Sequence, residues 1–285
     1  MLNFSLSELI QPETRITILD VGASMTEKPP YAHLIASGLV RLIGFEPNQA
    51  ECERLREHYG KPHEFFPYFI GDGKPAVFWE TNWFATGSLF KPNTPLLEKF
   101  QNLAELVTPV AQHNIETKRL DDIPDIDDVD YIKIDVQGAE LMVFKGGEKL
   151  LDKVLLIQSE AEFHPLYEDQ PLFADLDTYL RGRNFMFAKF VGFGTRCIKP
   201  TLLNNNPNLG TNILWCDALY AKNWLDLSPL STDKIIKYAI LAHDIYEQVD
   251  LVAYLLKHLD DMKGTNYGLA YQQWLEKPRP GTAAV

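Results

Sequence analysis

The chain has 285 residues, 46% hydrophobic and 23% charged, with a formal net charge of −12. That length suits one large domain or a domain with an appendage, and the composition is that of an ordinary globular protein. The acidic balance, without a concentrated Lys/Arg patch, argues against a nucleic-acid or anionic-membrane partner. Cys52, Cys197 and Cys216 are odd in number and widely spaced, which argues for reduced thiols and against a zinc site or redox motif. The opening segment MLNFSLSELIQPETR has no basic start and no long apolar run, so no leader is expected. No stretch approaches the roughly 20 apolar residues of a membrane span. A cytoplasmic protein is expected.

Apolar runs at residues 16–20 (ITILD), 40–46 (VRLIGFE), 64–70 (EFFPYFI), 130–135 (DYIKID) and 154–160 (VLLIQSE) have nearly continuous β-branched or aromatic centres. This is the pattern of parallel strands buried on both faces. Helical patterns separate most of them, including 48–58, with Asn48 as cap after Pro47, and 171–181. Such alternation predicts an α/β fold with a doubly wound sheet. Between the third run and residue 130, the aromatic segment VFWETNWF, the turn ATGSLFKPNTP, a short helix and the run HNIETKRL read as extra strands with a lid-like excursion. FMFAKFV at 185–191 and NILWCDALYA at 212–221 read as a final antiparallel pair around the loop NNNPNLG at 204–210. From residue 228 the pattern becomes two helices broken near 249–250, with Ser231 or Thr232 as cap and Gly264 as stop. Ile235, Ile236, Ala239, Ile240 and Ile245 lie at helical spacing, as do Val252, Leu255, Leu256 and Leu259. A short aromatic helix at 267–274 and a disordered tail, KPRPGTAAV, close the chain. The expected division is a domain over 1–227 and a helical extension over 228–285, whose apolar helices are read as a homodimer surface.

Ligands of doubly wound sheets bind beyond the carboxyl ends of the strands. Asp20 lies at the end of the first strand and is followed by a Gly22 turn; Glu46 lies at the tip of the second, where a carboxylate can accept both hydroxyls of a ribose. Fixed negative charge there suits an adenosine ligand that carries a cation and no phosphates. A dinucleotide instead needs the G-x-G-x-x-G turn, whereas DVGASMTEKPPY offers one glycine and then Glu27. The missing glycines therefore oppose an NAD(P)-dependent oxidoreductase. A non-catalytic binding module that keeps the fold is the second alternative, separable only by turnover.

Six segments in order carry a resemblance: ILDVGA (18–23), GFEPN (44–48), IGDGK (70–74), TGSLFKP (86–92), TKRLDDI (117–123) and YIKIDVQGAELMVFKGG (131–147). Over roughly residues 16–221 the chain resembles the FkbM-family methyltransferases, and 159–181 is similar to a bacterial subgroup of them. The resemblance implies a Rossmann-like class I methyltransferase fold: a mostly parallel seven-stranded sheet with an antiparallel last strand. It also implies S-adenosylmethionine as cofactor and methyl transfer to oxygen, on a glycan or related small-molecule acceptor. Two positions depart from the family pattern. The first loop, Gly22-Ala23-Ser24-Met25-Thr26, replaces GAN and a nearby second glycine, and Gln137 stands where Glu is common.

By resemblance, Asp20 with Gly22, Ala23 and Ser24 attends the methionine end of the cofactor; the plainer alternative for Asp20 is a strand-end acid capping its turn. Glu46, before Pro47, is expected to accept the ribose hydroxyls. Asp72 beside Gly71 would face the adenine amino group, although Gly71-Asp72-Gly73 also makes an ordinary tight turn. Asp135 ends the fourth strand beside the methionine part, with Gln137 close by. Lys133 points to the same strand face as Asp135, so the two contact cofactor or substrate, or form a buried pair. Glu140 is explained by the dipole of the next helix.

A hydroxyl acceptor must lose a proton, and His is the commonest base near neutral pH. His164, which follows the fifth strand on the face of Glu160 and Glu162, is the first candidate and His113 the second. Paired carboxylates and one His at a strand end read as a solvated rim, so no metal is expected. Ser88 is read as a helix cap. Phe78, Trp79, Trp83, Phe84 and Phe90 are read as core or lid packing that could also stack on a sugar.

Overall fold

The computed structural model describes residues 4–26, 28–124, 126 and 128–276. The tail at 277–285 and Glu27 lie outside the described residues. The chain forms two compact units: one from Ile18–Met25 and Leu42–Asn223, the other from the described residues of Met1–Thr17, Thr26–Arg41 and Trp224–Val285.

A seven-stranded sheet organises the molecule. Its strands are β1 (Ile16–Val21), β2 (Val40–Phe45) and β3 (Glu64–Phe66), then, beyond an insertion, β7 (Tyr131–Ile134), β8 (Leu156–Glu162), β9 (Phe185–Thr195) and β10 (Ile213–Lys222). Their order is β3-β2-β1-β7-β8-β10-β9. The chain winds outward from β1 to β3, then returns to the other side of β1 with β7. The order thus reverses between β1 and β7, the place where such sheets bind ligands. β7 is parallel to β1 and β8, whereas β10 is antiparallel to both β8 and β9. The last strand is therefore the inverted one. This is the expected Rossmann-like architecture. Buried Leu19, Val21, Ile132, Ile134, Val143, Phe144, Ile157 and Leu180 form the main core of this unit.

Local chemistry sets the connections. Helix α1 (Ala32–Ala36) precedes β2, and α2 (Gln49–Tyr59) follows it. In α2 the Asn48 side chain accepts the Glu51 amide at 3.1 Å, and Gly60 ends the helix at φ 61°. The run at 64–70, read from sequence as one strand, is two. It breaks at Pro67, which has no N–H to give a ladder. β3 stays beside β2, while β4 (Phe69–Ile70) pairs with β6 (Pro109–Lys118). With β5 (Pro75–Thr81), antiparallel to β6, they form a three-stranded sheet in the order β4-β6-β5. Short helices α3 (Thr94–Leu97) and α4 (Leu103–Leu106) complete the insertion, and Leu97, Phe100, Leu103, Val107, Leu166, Tyr167 and Leu214 form a separate apolar cluster. The predicted aromatic group divides. Phe78 packs on Phe69 and Phe90 joins the second cluster, whereas Trp83 and Phe84 are exposed. Helices α5 (Glu140–Gly146), α6 (Glu148–Leu151) and α7 (Phe173–Gly182) lie between β7 and β9 in the chain.

The other unit contains α8 (Thr232–Asp244), α9 (Val249–Lys263) and α10 (Tyr267–Leu275). Ser231 caps α8 by accepting the Lys234 amide, and Gly264 ends α9 at φ 68°. Ile235, Ile236, Ala239 and Ile240 are buried, as are Val252, Leu255, Leu256 and Leu259; Ile245 is only half-buried. The first residues belong with these helices. Leu6 N–H donates to Asp244 at 2.8 Å, and Phe4 packs at a tilt on His243 and edge-on against Trp274. No helix among the described residues is long and apolar enough to cross a membrane.

Candidate active site

The carboxyl ends of β1, β2, β7 and β8 bring a set of acids to one edge of the sheet. Asp20 and Lys133 are register partners in β1 and β7, and Lys133 Nζ lies 3.5 Å from Asp20 Oδ1. Burial disfavours a charge on Lys133, but Asp20, Asp135 and Asp217 outweigh it and hold its pKa above that of an ordinary lysine. Lys133 is thus a fixed cation. Asp217 enters from β10 as the register partner of Glu160. Nothing in the linear sequence marks Asp217, whose partners arrive only when β10 inserts beside β8.

Glu46 follows β2 and is half-buried. One of its oxygens accepts the Asn48 amide at 2.7 Å, leaving the second for a ligand. Burial, reinforced by Glu51 and Asp20, raises its pKa to about 7. The loop after β1 is tied down on both sides. Gly22 and Ala23 amides donate to Phe45 O, and the Met25 amide donates to Glu51. Gly22 has φ 86°, and a Cβ there would lie 2.0 Å from Asp135 O. The loop after β1 and the end of β7 therefore approach as closely as backbone allows.

Gln137 is the junction of the site. Its backbone is left-handed at φ 55°, between Asp135 and Gly138. Its amide nitrogen donates to Asp135 Oδ1 and Glu160 Oε2, both at 2.8 Å. Its side-chain oxygen accepts Tyr167 Oη at 2.9 Å, and its backbone oxygen accepts Ser88 Oγ at 2.6 Å. Ser88 is therefore not the expected helix cap; Asn93 caps α3 instead. Behind this bridge lies Glu140, whose Oε1 accepts the Val136 and Gly138 amides and whose pKa burial raises to about 7. Burial raises Glu160 and Glu162 well above the usual carboxylate range, with Asp135 and Glu140 adding to it in both. Asp135, Glu140 and Glu160 bring oxygens within 4.8 Å of one another, a spacing a cation could bridge. Protein N–H donors already occupy an oxygen of each.

Other predicted residues lie apart from this network. Asp72 is engaged by Lys74, through Nζ at 2.7 Å and the amide at 3.2 Å, which holds its pKa below the usual range. The Gly71 amide donates to Lys118 O, continuing the pairing of β4 with β6. Pro47 is half-buried after Glu46, and Ser24 is half-buried in the first loop. His164 sets its ring edge against Phe100 at 6.2 Å, and its buried Nδ1 has no hydrogen-bond partner. His113 pairs with Glu80 on the insertion sheet at 2.6 Å.

A model of the FkbM methyltransferase domain matches residues 20–187. The chain belongs to the FkbM methyltransferase family. It is also 33% identical over 151 residues to the 2-O-methyltransferase NoeI of Sinorhizobium fredii, a match covering 48% of this chain and 60% of that protein. A solved chain from Thermoplasma acidophilum, assigned provisionally as a methyltransferase, aligns over 79% of this chain and 77% of its own at 11% identity. The TM-score of that pair is 0.36, too low to carry an argument.

Membership implies S-adenosylmethionine, and the donor set fits that ligand. The strand tips present carboxylates, which suit a diol and a sulfonium. The loop lacks the glycine series that would seat a pyrophosphate. Lys133 balances part of the charge that these acids carry.

Proposed function

We propose that this FkbM-family chain transfers the methyl group of S-adenosylmethionine to a hydroxyl of a glycan or related small metabolite. The observation that carries the reading is the set of acids at the tips of β1, β2 and β7, gathered where the strand order reverses. Family membership and the 2-O-methyltransferase relative support it. Glu46 would hold the ribose hydroxyls, and Asp20 and Asp135 the methionine end, with Gly22, Ala23 and Ser24 lining the approach. The cofactor, when bound, supplies an already activated methyl. The protein's task is then to align the acceptor and hold its proton. Lys133, charged and surrounded by acids, orients Asp20 and Asp135 rather than accepting a proton. A cytoplasmic, acidic enzyme without a nucleic-acid partner is part of the same reading, as is pairing of two chains through exposed Tyr254, Met262 and Leu269 of α9 and α10.

Titration calorimetry with S-adenosylmethionine, S-adenosylhomocysteine and NAD(H) tests it. Micromolar binding of the first two, weakened at least tenfold in Glu46→Ala, is the expected result. A folded protein that binds neither would overturn the reading and leave a non-catalytic module. Binding of NAD(H) alone would overturn it in favour of an oxidoreductase.

A further inference from the structure

We propose that Glu160 is the proton acceptor of the methyl transfer, held as one half of a carboxylate pair with Asp135 by the side-chain amide of Gln137. This rests on the methyltransferase reading with a hydroxyl acceptor. The geometry singles out Glu160 among its neighbours. Glu140 and Glu162 are 3% and 2% exposed, so no substrate reaches them, whereas Glu160 and Asp135 are half-buried at the carboxyl edge of the sheet. Of these two, Asp135 is engaged by the nearby charge of Lys133. Glu160 is therefore the carboxylate left to take the acceptor's proton.

The Gln137 amide makes the pair possible. Each of its N–H bonds reaches one carboxylate at 2.8 Å, and Tyr167 Oη fixes its orientation from the other end. Two carboxylates this close repel, so a bridging donor keeps them together where a third acid would drive them apart. The bridge occupies Glu160 Oε2 and leaves Oε1 for the acceptor. Every element packed around Glu160 supplies a charged or titratable group: Asp135 and Lys133 from β7, Glu140 from α5, Glu162 from β8, Asp217 from β10 and Tyr167 before α7. Burial, then Asp135, Glu162 and Glu140, holds the Glu160 proton well above the ordinary glutamate range, which makes its carboxylate a stronger base than an ordinary glutamate. A cavity of about 10 Å³ lined by Glu140, Glu160, Glu162 and Gly138 adjoins it. In the transfer, the acceptor O–H proton moves to Glu160 Oε1 as its oxygen forms the new C–O bond. The C–S electron pair stays on sulfur, so the positive charge of the methyl donor and the negative charge of Glu160 vanish together. His164, against Phe100, has no link to this network.

The test begins on the ligand-free protein, with glutamate labelled by ¹³C at the carboxyl carbon and titrated by NMR. We expect a glutamate that titrates well above the ordinary range, is absent in Glu160→Gln, and titrates higher still in Gln137→Leu. Turnover is then followed with tritiated S-adenosylmethionine and a panel of methyl glycosides. Glu160→Gln should lose about 10²–10⁴-fold in kcat while binding S-adenosylhomocysteine as wild type does, and His164→Asn should stay within a few-fold. A Glu160 that titrates as an ordinary glutamate, or a Glu160→Gln enzyme with undiminished kcat, would overturn the proposal. Failure of the wild type to bind S-adenosylhomocysteine would sink the methyltransferase reading instead, and the NMR titration would still judge the carboxylate pair.

Discussion

A carboxylate drawn out of water holds its proton more tightly, and Glu46 is held up to about 7 for that reason. Ligand hydroxyls that donate to it favour the ionised form, so ligand binding lowers that pKa. Affinity for S-adenosylhomocysteine should therefore rise as pH increases from about 6 to 8. Calorimetry across that window should show the rise in wild type and a flat, weaker profile in Glu46→Gln. At Gly22 the issue is space and backbone. With φ 86° and Asp135 O at 2.0 Å from any Cβ, Gly22→Ala should destabilise by about 2–4 kcal/mol in urea unfolding. Lys133 is the converse case, a cation that its neighbours need. Lys133→Met leaves Asp20, Asp135 and Asp217 facing one another and should destabilise by about 3–5 kcal/mol, read by the same unfolding experiment.

At the scale of elements, the end of β8 stores electrostatic strain. Glu162 is buried, and its proton is held well above the ordinary value by burial, Glu140 and Asp135. For an acid whose folded pKa is raised, stability is fully present below the unfolded value, near 4.5, and is lost as pH rises through the folded value. Glu162→Gln should therefore be nearly neutral at about pH 4 and stabilising by roughly 1–3 kcal/mol at about pH 8. Thermal unfolding of the pair at both pH values separates this group from opposing ones such as His243, whose pKa burial lowers. At the start of α8, the Ser231 cap is a smaller and independent term. Ser231→Ala should cost about 1 kcal/mol at every pH, because it removes one hydrogen bond and no charge.

For the whole molecule, the three thiols report packing. Cys52, Cys197 and Cys216 are all buried, and burial raises the Cys216 pKa to about 12. A thiol reagent should find no reactive cysteine in the native chain and three after denaturation. One fast-reacting thiol in the native protein would contradict the burial seen here. The division into compact units is also a whole-molecule property. The sequence reading placed a boundary at 227 because the hydrophobic period changes there. The structure groups the first residues and Thr26–Arg41 with the C-terminal helices, through contacts such as Leu6 to Asp244 that lie 238 positions apart in the chain.

Strand–helix alternation, the caps at Asn48 and Ser231, the stop at Gly264 and the acids at strand ends were legible in the sequence. Each depends on neighbours within a few residues or on a period of two or 3.6. The run at 64–70 read as one strand; its break at Pro67 and the second sheet taken by β4 were not legible, because the β4 partner in β6 lies more than 40 residues further on. Asp20, Glu46 and Asp135 could be named as site residues for the same local reason: each ends a strand. Which acids meet one another, and which are engaged within their own turn, was decided by tertiary structure. Asp72 has its partner, Lys74, two residues away and is satisfied within its own turn. Glu160 meets Asp135 only because β8 lies beside β7, Asp217 only because β10 inserts next to it, and Gln137 only because a left-handed backbone turns its amide between them. Charge coupling depends on distance in space, and that distance exists only once the sheet has formed.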